Sequence, residues 1–174
     1  LTFPRGIAVH VETGLVAGGG SILHDADQGI YFGTLDLAFR GGLTMQAICL
    51  IGTKNPDGTK GFSLVAILTF ELGNPYPLGM GFFLVGFGGM FAMNRTFDEV
   101  AMRAALPTGQ LRNVLFPTDP VHHSSEILRA LQTLFPAKQG SYIAGLLVKI
   151  AWARPTLVQF ELGVVHHPQQ HRQI

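Results

Sequence analysis

The sequence is poor in charged residues, which make up only 13% of its 174 positions, while apolar residues make up 47%. Globular domains usually carry about 25% charged residues. This balance excludes an intrinsically disordered chain, because disorder requires low hydrophobicity and high net charge. It also indicates that much of the surface is buried or faces something other than water.

Neither sign of charge is in excess, since twelve Lys and Arg nearly balance eleven Asp and Glu. The basic residues are scattered, so we expect no nucleic-acid partner, because phosphate backbones are bound by clustered Lys and Arg. Cysteine is limited to Cys49, inside the apolar run LTMQAICLIG. A single cysteine excludes an intramolecular disulfide and a multi-cysteine zinc site, and its setting predicts a small buried side chain.

The two ends of the sequence carry few signals. No charged segment precedes an apolar core near residue 1, so no signal peptide is visible and the compartment stays open. Residues 166–174 are polar and without periodicity, which predicts a tail. We expect residues 1–165 to form a single β-rich domain that is a segment of a larger protein.

Strand patterns dominate the first half. Apolar and more polar residues alternate with a period of two in IAVHVE, IYFGTLDLAFR and FSLVAILTFEL, and Gly, Asn, Asp and Pro form short turns between such segments. Short turns join antiparallel strands, so residues 5–73 predict a five-strand meander. Several strands exceed the usual five or six residues. Their length favours a long-stranded curved sheet or a partly closed barrel.

Helix signals are confined to the second half. Thr96 and Glu99 have capping-box spacing, which predicts a helix over 97–106 that stops at Pro107. A second short helix fits GQLRNVLF, and a third is predicted after an N-cap at Asp119. The period then returns to two and predicts a C-terminal hairpin. The expected fold class is therefore α+β, mainly antiparallel β, with two or three short helices inserted between strand six and the hairpin.

The longest uncharged stretch runs from Leu72 to Asn94 and contains GMGFFLVGFGG. Its glycines and prolines argue against a transmembrane helix. It also lacks the Lys and Ser or Thr of a P-loop and the full glycine set of a dinucleotide fold, so we expect no cofactor. Both of its alternating residue sets are apolar, which predicts a central strand covered on both faces.

These elements, in this order, resemble the conserved region of large, uncharacterised bacterial proteins grouped as domain of unknown function 6603. The resemblance covers residues 6–165 and comprises a glycine-rich strand ending in Asn-Arg, a Phe-Pro-x-Asp-Pro turn, a Trp-containing strand end and a Pro-Thr-Leu-Val strand. The matching positions are Gly86, Gly88, Gly89, Asn94, Arg95, Phe116, Pro117, Asp119, Pro120, Trp152, Pro155, Thr156, Leu157 and Val158. The resemblance implies a β-rich segment of a larger protein, and it brings no activity, cofactor or catalytic residue.

The densest group of reactive polar side chains is HHSSE, residues 122–126. His122 and Glu126 have the i, i+4 spacing of a metal-ligand pair on a helix, but the pair lacks further ligands. The same segment fits the solvated first turn of a helix. We therefore predict no metal at this segment. His122 and Glu126 are the candidate ligands against which this prediction is to be checked.

Asp36, Glu71 and Glu161 come from the more polar faces of separate strands. Two carboxylates that flank a cleft can serve as the acid and base of a glycosidase. Exposed carboxylates are also common on strands of ordinary sheets, so position alone does not assign them a role. No Gly-x-Ser-x-Gly elbow of a serine hydrolase is present.

These observations favour a non-catalytic structural or binding module. Such a module would pack against neighbouring segments of its parent protein, pair with a second copy, or present an apolar groove to a lipid-like ligand. The alternative is a hydrolase of the glycosidase or esterase type. Its catalytic candidates are the strand carboxylates Asp36 and Glu161, or the group formed by His122, His123 and Glu126.

Overall fold

The described part of the protein forms one antiparallel sheet of eight strands, each paired with its neighbours in the chain. The computed structural model describes residues 5–152 and 158–166, with side chains over 6–152. The strands are β1 (Arg5–Glu12), β2 (Val16–Asp25), β3 (Ile30–Phe39), β4 (Thr44–Lys54), β5 (Lys60–Gly79), β6 (Phe82–Arg95), β7 (Ala137–Trp152) and β8 (Val158–His166). Within these ranges β1 and β8 are not paired, so the sheet is open. The prediction of a mainly antiparallel, long-stranded fold is confirmed.

The C-terminal hairpin is confirmed in the pairing of β7 with β8. Its connection contains Pro155, Thr156 and Leu157, which lie outside the described residues. Of the predicted tail at 166–174, only His166, the last residue of β8, is described.

Tight turns make chain neighbours into sheet neighbours. Between β2 and β3, the carboxylate of Asp25 accepts the backbone amides of Asp27 and Gln28 at 3.0 Å. Gly29 then takes a φ of 66°, which an L side chain rarely adopts. Because a turn this short reverses the chain, the next strand runs antiparallel beside the preceding one.

Three helices follow β6, as predicted: α1 (Glu99–Thr108), α2 (Gln110–Leu115) and α3 (Ser124–Leu134). The predicted ends of α1 are wrong. Asp98, not Thr96, is the N-cap, because its carboxylate accepts two backbone amides of the first turn. Pro107 lies inside the last turn, and the helix ends at Gly109, whose φ of 71° supplies the left-handed cap.

The predicted N-cap of α3 at Asp119 is also wrong, since the N-cap is His123. Asp119 has a φ of 54°, whereas an N-cap residue normally has an extended backbone. It begins a turn instead, in which its carboxylate accepts the amide of His122 at 3.3 Å. The apolar side chains of α3 nevertheless face the sheet, and Ile127, Leu131 and Leu134 are buried.

The helices cover one face of the sheet. Residues paired in register lie on the same face, and one such row is fully buried: Phe32, Leu50, Val65, Ala92 and Ile143. This row packs with the apolar side of α3 in a single hydrophobic core. Burial of each Phe, Leu, Val or Ile side chain in this row contributes about 1.5–3 kcal/mol. The core therefore lies between the helices and the middle strands.

The prediction that β6 is covered on both faces is wrong. Met90 and Ala92 point toward the helices and are buried. Phe87 and Phe91 point to the opposite face and are 43% and 39% exposed. Nothing in the described part of the chain packs over that second face, although its side chains are as apolar as those of the core.

Candidate functional site

The face of the sheet opposite α1, α2 and α3, the helix-free face, is apolar across seven strands. Its middle row consists of Val9, Gly20, Leu35, Ala47, Leu68, Gly89 and Leu146, each the register partner of the next. The rows on either side run from Ile7 to Ala144 and from Val11 to Val148 in the same way. None of the three rows contains a charged residue, and apolar patches this large mark interaction sites.

The helix-free face carries two shallow depressions. One lies over β1 to β4 and measures about 450 Å³. The other lies over β4 to β6, measures about 630 Å³ and is lined by aromatic side chains that include Phe70, Phe87 and Phe91. Cys49 borders both depressions. The prediction that it is fully buried is wrong, since it is half-buried, because no layer of described residues covers this face. Burial raises the pKa of its thiol.

The opposite face becomes polar beyond the end of the helices and forms a second feature, the carboxylate cleft. It measures about 820 Å³ and lies between β1 to β5 and the turn that precedes α3. Its polar lining includes His10, Asp36, Gln46, Glu71, Asp119 and His122. The structure therefore brings together two of the strand carboxylates singled out from the sequence, Asp36 and Glu71.

Asp36 and Gln46 are register partners on β3 and β4. Burial raises the pKa of Asp36, the charges of Asp119 and Glu71 raise it further, and a hydrogen bond from the Gln46 side chain opposes them. Gln46 is only 9% exposed. Its carbonyl oxygen Oε1 is buried and has no hydrogen-bond partner within the described part of the protein.

Glu71 differs from Asp36 because its carboxylate forms an ion pair with a lysine side chain. Lys149 Nζ lies 2.6 Å from Glu71 Oε1, and the lysine is largely buried. The same ammonium lies 5.5 Å from the centre of the Phe116 ring, a cation–π contact. Glu161 pairs with Lys149 in the backbone register of β7 and β8, and its side chain lies outside the described residues.

The group HHSSE is divided between two places. His122 precedes α3, so the helical spacing expected with Glu126 does not apply, and its Nδ1 lies 2.7 Å from Asp119 Oδ2 instead. This hydrogen bond lowers the pKa of Asp119. His123 lies 3.6 Å from Glu126, beside a separate cavity of about 470 Å³ next to α2 and α3. Among the described residues, no three His, Cys, Asp or Glu side chains are arranged to hold a metal.

The Asn-Arg pair at the end of β6 is structural. Arg95 is buried and donates from Nη1 to the carbonyl of Phe135 at 2.7 Å and from Nη2 to Ser63 Oγ at 3.2 Å. Asn94 joins β5 to the start of β7 through side-chain hydrogen bonds of 2.8 and 2.9 Å. These contacts lock the strand end to the helix layer, away from both candidate surfaces.

Comparison with protein families gives one result. The model of the Family of unknown function (DUF6603) matches residues 1–174. The chain belongs to this family. No curated protein and no solved structure matches the chain. Membership of DUF6603 brings no residue role, and the two surfaces of the sheet are the features of this chain that bear on its function.

Sequence reasoning missed Gln46 and Lys149 as candidates in this DUF6603 chain. A signal was present, because each is a long polar side chain inside an otherwise apolar run, TMQAICLIG and GLLVKIAW. Buried polar side chains require partners, so such positions indicate a network or a site.

None of the helices in the described ranges has the length and hydropathy needed to cross a bilayer.

Proposed function

We propose that this protein is a non-catalytic structural module that binds a second copy of itself through the helix-free face. The observation that carries the proposal is that three residue rows across seven strands are uncharged and contain no buried residue. An apolar sheet face normally packs against another layer, and among the described residues only one face of the sheet has such a layer, the three helices. A second sheet would complete the missing layer.

The size of the face is sufficient for a stable dimer. Seven strands about 4.8 Å apart, with three rows spaced two residues of about 3.3 Å from one another, make a face of roughly 670 Å². Specific interfaces bury about 600–1,000 Å² on each partner. Two copies of the helix-free face therefore reach the lower part of the usual size range without contributions from the rest of the surface.

The composition of the face is compatible with self-pairing. In a two-fold dimer the same patch meets itself, so every charged residue on it would face a like charge or need a partner. The three central rows have no charge to repel. Packed sheets lie about 10 Å apart with strands crossing at about 30°, which lets side chains such as Phe87, Phe91 and Leu146 interdigitate.

A lipid-like ligand has less support. Sites for small molecules enclose about 70–90% of the ligand surface. The depressions over β1 to β4 and over β4 to β6 are open toward solvent and do not form an enclosed cavity. The hydrolase alternative is also weaker, because Glu71 is engaged by Lys149 and the group His122, His123 and Glu126 is divided.

Sedimentation equilibrium with two matched leucine variants tests the proposal. Leu146 lies on the helix-free face and is 71% exposed, while Leu106 lies on α1 and is 63% exposed. We expect the wild type to be a dimer at micromolar concentration, Leu146→Lys to be a monomer, and Leu106→Lys to behave as the wild type. A monomeric wild type, or equal behaviour of the two variants, would contradict the proposal.

Lipid extraction of the same wild-type sample distinguishes the main rival. The dimer proposal predicts no stoichiometric apolar molecule in the extract by mass spectrometry. A bound lipid that is lost in Leu146→Lys and retained in Leu106→Lys would overturn it in favour of a lipid-binding face.

A further inference from the structure

We propose that this chain cleaves its own peptide bond between Asp119 and Pro120 at acidic pH, with the carboxylate of Asp119 as the nucleophile. The bond lies in the turn that precedes α3, and its cleavage does not depend on the proposed function. Three observations carry the proposal: a strained backbone at Asp119, contacts at both reacting groups of this residue, and the chemistry of an Asp-Pro bond.

The backbone of Asp119 is strained. Its φ of 54° is uncommon for a residue that has a side chain. The residue before a proline also prefers an extended backbone, and Asp119 directly precedes Pro120. Pro120 is fully buried, so packing holds the proline side of the bond in place. Such strain is concentrated at functional sites, and hydrolysis of the bond would release it.

Both reacting groups of Asp119 are held by the two residues that follow the proline. Nδ1 of His122 lies 2.8 and 2.7 Å from the two carboxylate oxygens, and the backbone amide of His122 donates to Oδ1 at 3.3 Å. The backbone amide of His123 donates to the carbonyl oxygen of Asp119 at 3.3 Å. A donor at this oxygen stabilises the negative charge that forms there when the carbonyl carbon is attacked. The Asp119 side chain is 49% exposed, so water has access to the turn.

The reaction needs no co-reactant besides water and a proton. One carboxylate oxygen of Asp119 attacks the carbonyl carbon of the same residue, and the new bond closes a cyclic anhydride. The bond from this carbon to the Pro120 nitrogen breaks, and the nitrogen, which carries no hydrogen in the peptide, takes a proton from the solvent and leaves as a secondary amine. Water then opens the anhydride, so Asp119 ends fragment 1–119 with two carboxyl groups and Pro120 begins fragment 120–174.

The reaction requires an ionised carboxylate and an available proton at the same pH. The hydrogen bond from His122 lowers the pKa of Asp119, so the carboxylate stays ionised as the solvent becomes more acidic. His122 is therefore a positioning residue, because it holds the nucleophile and does not itself react. The other titratable groups that face Asp119 are His10 of β1, Asp36 of β3, Glu71 of β5 and His123 before α3.

Mass spectrometry of the full chain, incubated at the lowest pH at which circular dichroism shows it to be folded, tests the proposal. The same chain in urea at this pH is the comparison, because it has the same Asp-Pro bond without the turn. We expect fragments 1–119 and 120–174 to form at least about tenfold faster in the folded chain, since the turn holds the reacting groups together. No fragments from the folded chain, or equal rates in the two states, would overturn the proposal.

Two variants and one control assign the cleavage to the named residues. Asp119→Asn should abolish it, since asparagine tolerates the left-handed backbone and lacks the carboxylate. His122→Ala should slow cleavage and make the rate level off at a higher pH, because the carboxylate is then protonated nearer its ordinary pKa. His24→Ala, the same change at the other end of β2 from the cleft, should behave as the wild type. Cleavage by folded Asp119→Asn, an unshifted pH profile in His122→Ala, or a shifted one in His24→Ala would contradict the assignment.

Discussion

The guanidinium of Arg95 donates a 2.7 Å hydrogen bond to the backbone carbonyl of Phe135, the C-cap residue of α3. The arginine is buried, and its positive charge lies where the carbonyl groups at the end of a helix make the potential negative. The contact joins the end of β6 to the helix layer across forty positions of sequence. The Asn-Arg fingerprint of the DUF6603 resemblance therefore specifies the fold rather than a site.

Replacing Arg95 by Ala should destabilise the protein by about 3 kcal/mol, because it leaves a cavity and removes donors from the Phe135 carbonyl and the Ser63 hydroxyl. Chemical denaturation measures the change. Arg103→Ala, at an exposed arginine on α1, is the control and should change stability by no more than about 0.5 kcal/mol. Equal losses of unfolding free energy in the two variants would contradict the prediction that the buried contact of Arg95 stabilises the fold.

Asn94 should tolerate substitution according to how many of its two hydrogen bonds survive. Its Nδ2 donates to the Phe62 carbonyl and its Oδ1 accepts from the Gly140 amide, at a φ of 53°. Asn94→Asp keeps the acceptor and should cost about 1 kcal/mol, while Asn94→Ala loses both bonds and adds backbone strain, for about 2–3 kcal/mol. Urea unfolding of the two variants checks the order, and the reverse order would contradict it.

Asp36 should make stability depend on pH in the opposite sense to Asp57. Burial raises the pKa of Asp36 above 3.8, so the folded state holds the proton of Asp36 more tightly than the unfolded chain does. This contribution to stability is present below pH 3.8 and is lost as pH rises from 3.8 through the pKa of the folded state. Hydrogen bonds to Thr59 lower the pKa of Asp57 below 3.8, so its contribution is present above that pH and is lost as pH falls.

At pH 7 we therefore expect Asp36→Asn to raise the midpoint of urea unfolding and Asp57→Asn to lower it. The other titratable residues that line the cleft are His10, Glu71, Asp119 and His122. Both variants retain these four residues. Two variants with effects of the same sign at pH 7 would show that the environment of Asp36 has been misassigned.

Most of the fold could be predicted because its signals are local. Period-two alternation and turns such as DADQG specify which strands form and that neighbours pair, and that information lies within a few residues. The helix caps were harder to predict from the sequence. Thr96 and Asp98 are both good N-cap residue types, and the backbone geometry decides between them. The left-handed φ of Asp119 had no sequence signal beyond its residue type.

The surfaces were harder to predict because they depend on pairs that are distant in sequence. Glu71 and Lys149 are 78 positions apart, and Asp36 meets Asp119 through the approach of a turn to the sheet. The helix-free face had a different obstacle. Apolar residues on both sides of β6 predict two covered faces, and the sequence does not say whether the second cover belongs to the same chain.

Alkylation of Cys49 tests the proposed dimer most directly, because the only thiol of the chain lies on the helix-free face between its two depressions. Iodoacetamide would be applied at one alkaline pH over a range of protein concentrations. We expect the alkylation rate to fall as the wild type dimerises and to stay at its monomer value in Leu146→Lys. A rate that is independent of concentration and equal in the two proteins would contradict it.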